Sequence, residues 1–169
     1  MVESQGDPVA SAIGRAKEGA AAAAAGDAIS EKRYADALAA LADYQDPRVA
    51  DVAVSAMQSP SYAARASLLR VMRYNPEASA DPDSLADLRG LVTNDPNPQV
   101  RREALEVLVR YGDSAEVLSL VQGLGRREGP VRDIAVREWV RIETEMAAAA
   151  EAATEDAERH YGISTYGEQ

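Results

Sequence analysis

The stretch DPNPQVRREALEVLVRYGD, residues 95–113, reads as a turn, a helix and a stop. Asn97 followed by Pro98 puts a side-chain acceptor and a pre-set φ at a helix start. Ala104, Leu105 and Leu108 then share one face, Tyr111 follows a turn later, and Gly112 ends the run. The pattern recurs. EKRYADALAALADY (31–44) places Ala37, Leu38, Leu41 and Tyr44 at the same internal spacing, and SYAARASLLRVMRYN (61–75) supplies Leu68, Leu69 and Met72. GPVRDIAVREWVRI (129–142) supplies Ala135, Val136 and Trp139. The anchors 37, 68, 104 and 135 are separated by 31, 36 and 31 residues, a period that marks a helical solenoid.

An earlier helix precedes each of these. DPRVADVAVSAM (46–57), DPDSLADLRGLVTND (81–95) and SAEVLSLVQGLG (114–125) each space their apolar residues by three and four. The Ala-rich run over residues 9–25 completes the first pair, although Gly14 and Gly19 lower its helix propensity. Asp46-Pro47 and Asp81-Pro82 repeat the Asn97-Pro98 start, Gly129-Pro130 is a weaker version, and Gly26 is a natural stop. One helix of a pair cannot bury its apolar stripe alone, so the pairs must stack. The expected fold is an all-α solenoid of about four helix pairs. Its units run over about 9–44, 46–75, 81–111 and 114–143, within one array from 9 to 143. Residues 1–8 are expected to be disordered, 144–160 to form a helical extension, and 161–169 a flexible tail.

The quoted stretch, with its turn, Val-Arg, Ala-Leu pair and Gly stop, resembles the HEAT-repeat family, in particular the short HEAT-like repeats of the phycobilisome-lyase type. EGPVRDIAVREWVRI (128–142) is similar, and the resemblance covers about residues 46–142. It implies a HEAT-like fold and says little about function, because such families are defined by packing. The second unit departs by placing Ala64 where the family prefers Val. Some members attach or remove tetrapyrroles, which implies a groove with aromatic walls; Trp139, Tyr111 and Tyr74 are candidates for it, though Trp139 aligns with the core positions of Leu108 and Met72. Iron-binding members carry paired His-Glu motifs that this chain lacks.

Composition narrows the function classes. The chain has 169 residues and a formal charge of −10, with sixteen arginines and only two lysines, Lys17 and Lys32. Such a balance disfavours a general binder of nucleic acid or anionic membrane. Without cysteine there is no disulfide, thiolate metal site or cysteine nucleophile, and the single histidine, His160, rules out a multi-His metal site. GLGRREG (123–129) follows no strand and lacks the Lys-Ser/Thr of a phosphate loop, so it reads as a turn. Carboxylate pairs such as Asp81 and Asp83 read as caps and solvated turns. No catalytic residue, metal ligand or cofactor is expected, and the protein is read as not an enzyme. No apolar run approaches the length of a spanning helix, so no membrane insertion is expected. The chain reads as cytoplasmic, with an exported chain whose signal peptide has been removed as the alternative.

Arg65, Arg101 and Arg132 fall at equivalent repeat positions and are expected to bond turn carbonyls or acidic caps such as Asp95 and Glu128, holding repeats in register. Residues 100–142 carry eight arginines against seven acids, whereas 143–169 carry one arginine against seven acids. Arg126, Arg127, Arg137 and Arg141 could line a basic ridge for nucleic acid. The stronger expectation is local pairing, Glu106 with Arg110 and Asp133 with Arg137. From Trp139 the small or apolar positions continue through Ile142, Met146, Ala149, Ala150, Ala153, Ala157 and Tyr161, one helical face expected to cover the open end of the stack, or else to dock on a partner. The favoured reading is a non-catalytic protein-interaction scaffold or adaptor. It would use the face of the second helices (31–44, 60–75, 98–111, 130–143) through Arg70, Arg73, Arg102, Arg110, Arg137 and Arg141. Tyr161, Ile163 and Tyr166 offer a second anchor in the tail. Its partner would be another protein or a larger complex, nucleic acid being disfavoured. The alternatives are a structural accessory subunit of a larger enzyme or electron-transfer complex, and a tetrapyrrole lyase-like or chaperone protein.

Overall fold

The computed structural model describes residues 7–24, 26–80 and 82–161. The described residues are helical, with short turns and no strand. In chain order the helices are α1 (Pro8–Ala23), α2 (Ala28–Ala39, continued by a 3₁₀ turn Ala40–Asp43), α3 (Arg48–Met57), α4 (Tyr62–Tyr74), α5 (Pro76–Ser79), α6 (Pro82–Asn94), α7 (Pro98–Tyr111), α8 (Ser114–Gly125) and α9 (Arg132–Tyr161). They divide into two compact units, Met1–Asp113 and Ser114–Gln169, where the sequence reading ran one array through residue 143.

In the first unit the second helices lie side by side: α2 packs on α1 and α4, and α4 packs on α3 and α7, while α6 backs α7. Leu38, Leu41, Leu68, Leu69, Met72, Leu105 and Leu108 are almost wholly buried, as the repeated Ala/Leu spacing requires. The second unit is the pair α8 and α9, with Val117, Val121, Ile134, Ala135 and Ile142 buried. Trp139 sits in the contact between these two helices, as expected: a Cβ added at Gly125 of α8 would lie 3.6 Å from its Cε3, although the side chain is only partly buried. The Arg126 guanidinium lies over its ring at 5.5 Å, which keeps one side of the indole near charge and solvent.

Local chemistry explains the boundaries. The Asp7 carboxylate accepts from the amides of Val9 and Ala10 with Pro8 in the first turn, so the helix begins inside the segment 1–8 expected to be disordered. Asp27 does the same for Ile29 and Ser30, starting α2 ahead of residue 31. Asn97 accepts from Gln99 and Val100, as the opening stretch implies. Gly26 adopts φ +78, the left-handed turn that ends the first helix region. Gly19 has a packing role: a Cβ there would sit 3.1 Å from Tyr34 Cα, so its absence lets α1 close onto α2. Residues 1–6 and 162–169 and the proposed cap Asp81 lie outside the described residues.

The irregular spacing of 36 between the second and third anchors has a structural cause, the extra turn α5. The buried Ser79 hydroxyl of that turn donates to the carbonyls of Met72 and Asn75 at the end of α4. Asn75 in turn donates from Nδ2 to the Tyr44 carbonyl at 3.3 Å. The insertion is thus stitched to the two repeats that precede it.

Candidate interaction surface

Three side chains hold the register of the first unit. Arg65, 7% exposed, donates from Nε to Asp95 Oδ2 at 2.6 Å and from Nη2 to Asp95 Oδ1 at 3.0 Å. Its Nη1 donates to the carbonyls of Ser59 and Pro60 at 2.7 and 3.0 Å. One planar fork thereby joins the turn before α4 to the turn before α7. Asp95 also accepts from the Asn97 amide at 2.8 Å, and its carbonyl accepts from Arg101 Nε. The expected row of turn-bonding arginines is therefore present at Arg65 and Arg101. Arg132 differs: its Nε stands 3.9 Å from the exposed Glu128 carboxylate. On the first-helix side, Arg48 bridges Asp46 and Asp7. The Arg48 guanidinium holds both carboxyls below the usual carboxylate range, with help from the amides each one caps.

With those residues committed to structure, the exposed flank of α4 and α7 presents the arginines singled out by sequence. Arg73 pairs across the helices with Glu106, and the Tyr111 hydroxyl donates to the Arg73 carbonyl at 2.8 Å. The expected Glu106–Arg110 pair is thus replaced by an interhelix one, because Arg73 reaches Glu106 from the neighbouring repeat. Arg110 lies over the Tyr111 ring at 5.6 Å. Arg70 and Arg102 are exposed and make no ion pair among the described residues. Tyr62 and Tyr74 on α4 are 57% and 54% exposed. A depression of about 440 Å³ lies on this flank, lined by Ala66, Ser67, Arg70, Arg73, Tyr74 and Glu103.

In the second unit the candidate arginines are less available. Arg141 is held by Glu138 at 2.8 Å and Glu145 at 2.7 Å, and Glu138 above all pushes its pKa up. Arg137 lies 3.4 Å from Glu138, which replaces the expected Asp133 pairing. With Arg126 on Trp139, the suggested basic ridge is broken by paired charges. The aromatic-groove candidates are likewise partly committed, Tyr111 to Arg73 and Trp139 to Arg126, leaving Tyr74 open to solvent.

The extension of α9 is exposed along nearly its whole length among the described residues. Glu143 through Ala157 are exposed, with Met146 45% exposed, so this face is left open rather than packed on α8. An Ala face with Glu on both flanks gains too little from burial to fold back unaided. Tyr161 ends α9, and Ile163 and Tyr166 lie outside the described residues. Among the described residues no group of His, Cys, Asp or Glu side chains could hold a metal ion, and no helix is long and apolar enough to cross a membrane.

A family model of HEAT repeats matches residues 50–139, more than half of the chain. Comparison with curated proteins and with solved structures finds no match.

Proposed function

Since the chain belongs to the HEAT-repeat family, we propose that it is a non-catalytic scaffold that binds another protein through the flank of its second helices. HEAT repeats generally mediate protein interactions, and the observation that carries the reading here is the composition of the α4–α7 flank. It combines exposed Tyr62 and Tyr74 with the exposed guanidiniums of Arg70 and Arg102, which make no ion pair among the described residues. Tyrosine and arginine are the side chains that most often dominate interface energetics. The buried Arg65–Asp95 pair fixes the spacing of the helices beneath, so the surface is pre-organised for its partner.

The test is site-specific photo-cross-linking in the native host. A cross-linker placed at Arg102 or Tyr62 should capture one defined protein, whereas Asp51 on α3 and Ala86 on α6 should not. Capture from the first-helix positions alone, or from none, removes the reading.

A second reading rests on a different observation, the exposed stretch of α9 beyond Ile142. A solvated single helix with an Ala face suits a subunit that braces a larger enzyme or electron-transfer assembly. In that case the protein should fall in abundance when its complex is deleted.

A further inference from the structure

We infer that the depression between α4 and α7 is an anchoring pocket for one carboxylate side chain of a partner protein, an inference that rests on the interaction surface proposed above. Its lining carries two guanidiniums, Arg70 and Arg73, and one carboxylate, Glu103, with the Glu106 carboxylate paired to Arg73 at its border. The cationic groups are not equivalent. Arg73 is already tied to Glu106, and Glu103 accepts from Gln99 Nε2 at 2.7 Å, so both are held at the rim. Arg70 is exposed and makes no ion pair among the described residues, leaving a planar two-pronged donor open in a concave site. The Ser67 hydroxyl adds a hydrogen-bonding group, and Tyr74 offers a ring face to the methylenes of an entering side chain.

The open guanidinium sets the ligand class. A single carboxylate matches the one lining guanidinium that makes no ion pair among the described residues and can take a bidentate bond from Arg70. A polyanion such as duplex DNA would press further phosphates against Glu103 and Glu106, which line or border the site. The partner segment is therefore one that offers a Glu or Asp with an apolar neighbour for Tyr74, not an acidic tract.

The experiment uses amide NMR on the full, isotope-labelled chain at low ionic strength, where surface charge is least screened. The probes are a short blocked peptide with one glutamate between two leucines, the same peptide with glutamine, and a short DNA duplex. The glutamate peptide should shift the amides of Ala66, Ser67, Arg70 and Tyr74 saturably, and bind about tenfold tighter than the glutamine peptide. Arg70→Gln should reduce the glutamate peptide to the level of its glutamine counterpart, and Arg70→Lys should retain part of the difference. Arg70 is exposed, so both variants keep the core, which an unchanged spectrum elsewhere verifies. Equal binding of the two peptides, indifference to Arg70→Gln, silence at those amides, or tighter binding of DNA would each overturn the pocket. Cross-linking from the flank together with a silent pocket would leave the interaction surface standing and remove only the carboxylate anchor.

Discussion

Arg65 and Arg132 occupy the same position in their repeats, just after Ala64 and Val131, and their surroundings are opposites. Arg65 is buried and makes four hydrogen bonds, two of them to a carboxylate thirty residues on. Arg132 is exposed, with its carboxylate partner at 3.9 Å on a side chain that is itself 94% exposed. The repeat pattern supplies the same residue in both units, but its energetic meaning comes from what the next turn brings to it. Asp95 is positioned by its own bonds to Asn97 and Arg101, so it meets Arg65 already oriented. Glu128 has no such support in its turn.

The largest effect that could break this contrast is stability. Arg65→Ala leaves Asp95 as a buried, uncompensated carboxylate and should cost about 3–5 kcal/mol in denaturant unfolding. Arg132→Ala should stay within about 0.5 kcal/mol of the parent. Equal losses would mean that the two sites are alike after all.

A second contrast separates the packed part of α9 from its extension. Ala150→Pro disrupts a helix interior at a local cost of about 3 kcal/mol. Hydrogen exchange should therefore rise sharply over residues 147–158. Because those side chains are exposed, the main unfolding transition should move by no more than about 0.5 kcal/mol. A large drop in the transition would show that the extension is covered by something in solution.

The smallest effect concerns the exposed bridge at the start of α1 and α3. The folded carboxyls of Asp7 and Asp46 lie below their ordinary 3.8, so their contribution is present above that pH and is lost as pH falls through the lowered values. Arg48→Ala should bring both towards 3.8 in an NMR titration and flatten the pH dependence of stability in that acidic window. Unchanged titrations would show that the capped amides, rather than the guanidinium, set these values.

Much of the fold was legible in the sequence because it is written in short-range spacing. Ala37, Leu38 and Leu41 announce a buried face without reference to any other part of the chain. The register arginine was legible too, since Arg65 and Asp95 are the kinds of group that turns recruit. What escaped the sequence was set by distance in space. The α5 turn was hidden because four residues starting with Pro carry no periodicity, although the spacing of 36 was its trace. Glu106 chose Arg73 over Arg110 because the neighbouring helix offered a closer guanidinium, which spacing along one helix cannot reveal. The pocket at Arg70 is of the same kind: the sequence placed Arg70 and Arg73 on an exposed face, but Glu103 joins them only across two repeats.

The exposed part of α9 has a mechanical consequence. From Ile142, the last buried residue among those described, to Tyr161 the helix rises roughly 28 Å at the standard advance per residue. A molecule gripped near the tip would be held at that stand-off from the α8–α9 core as if by a boom. Shortening the boom by one turn would move the load about 5.4 Å inward while leaving its foundation untouched.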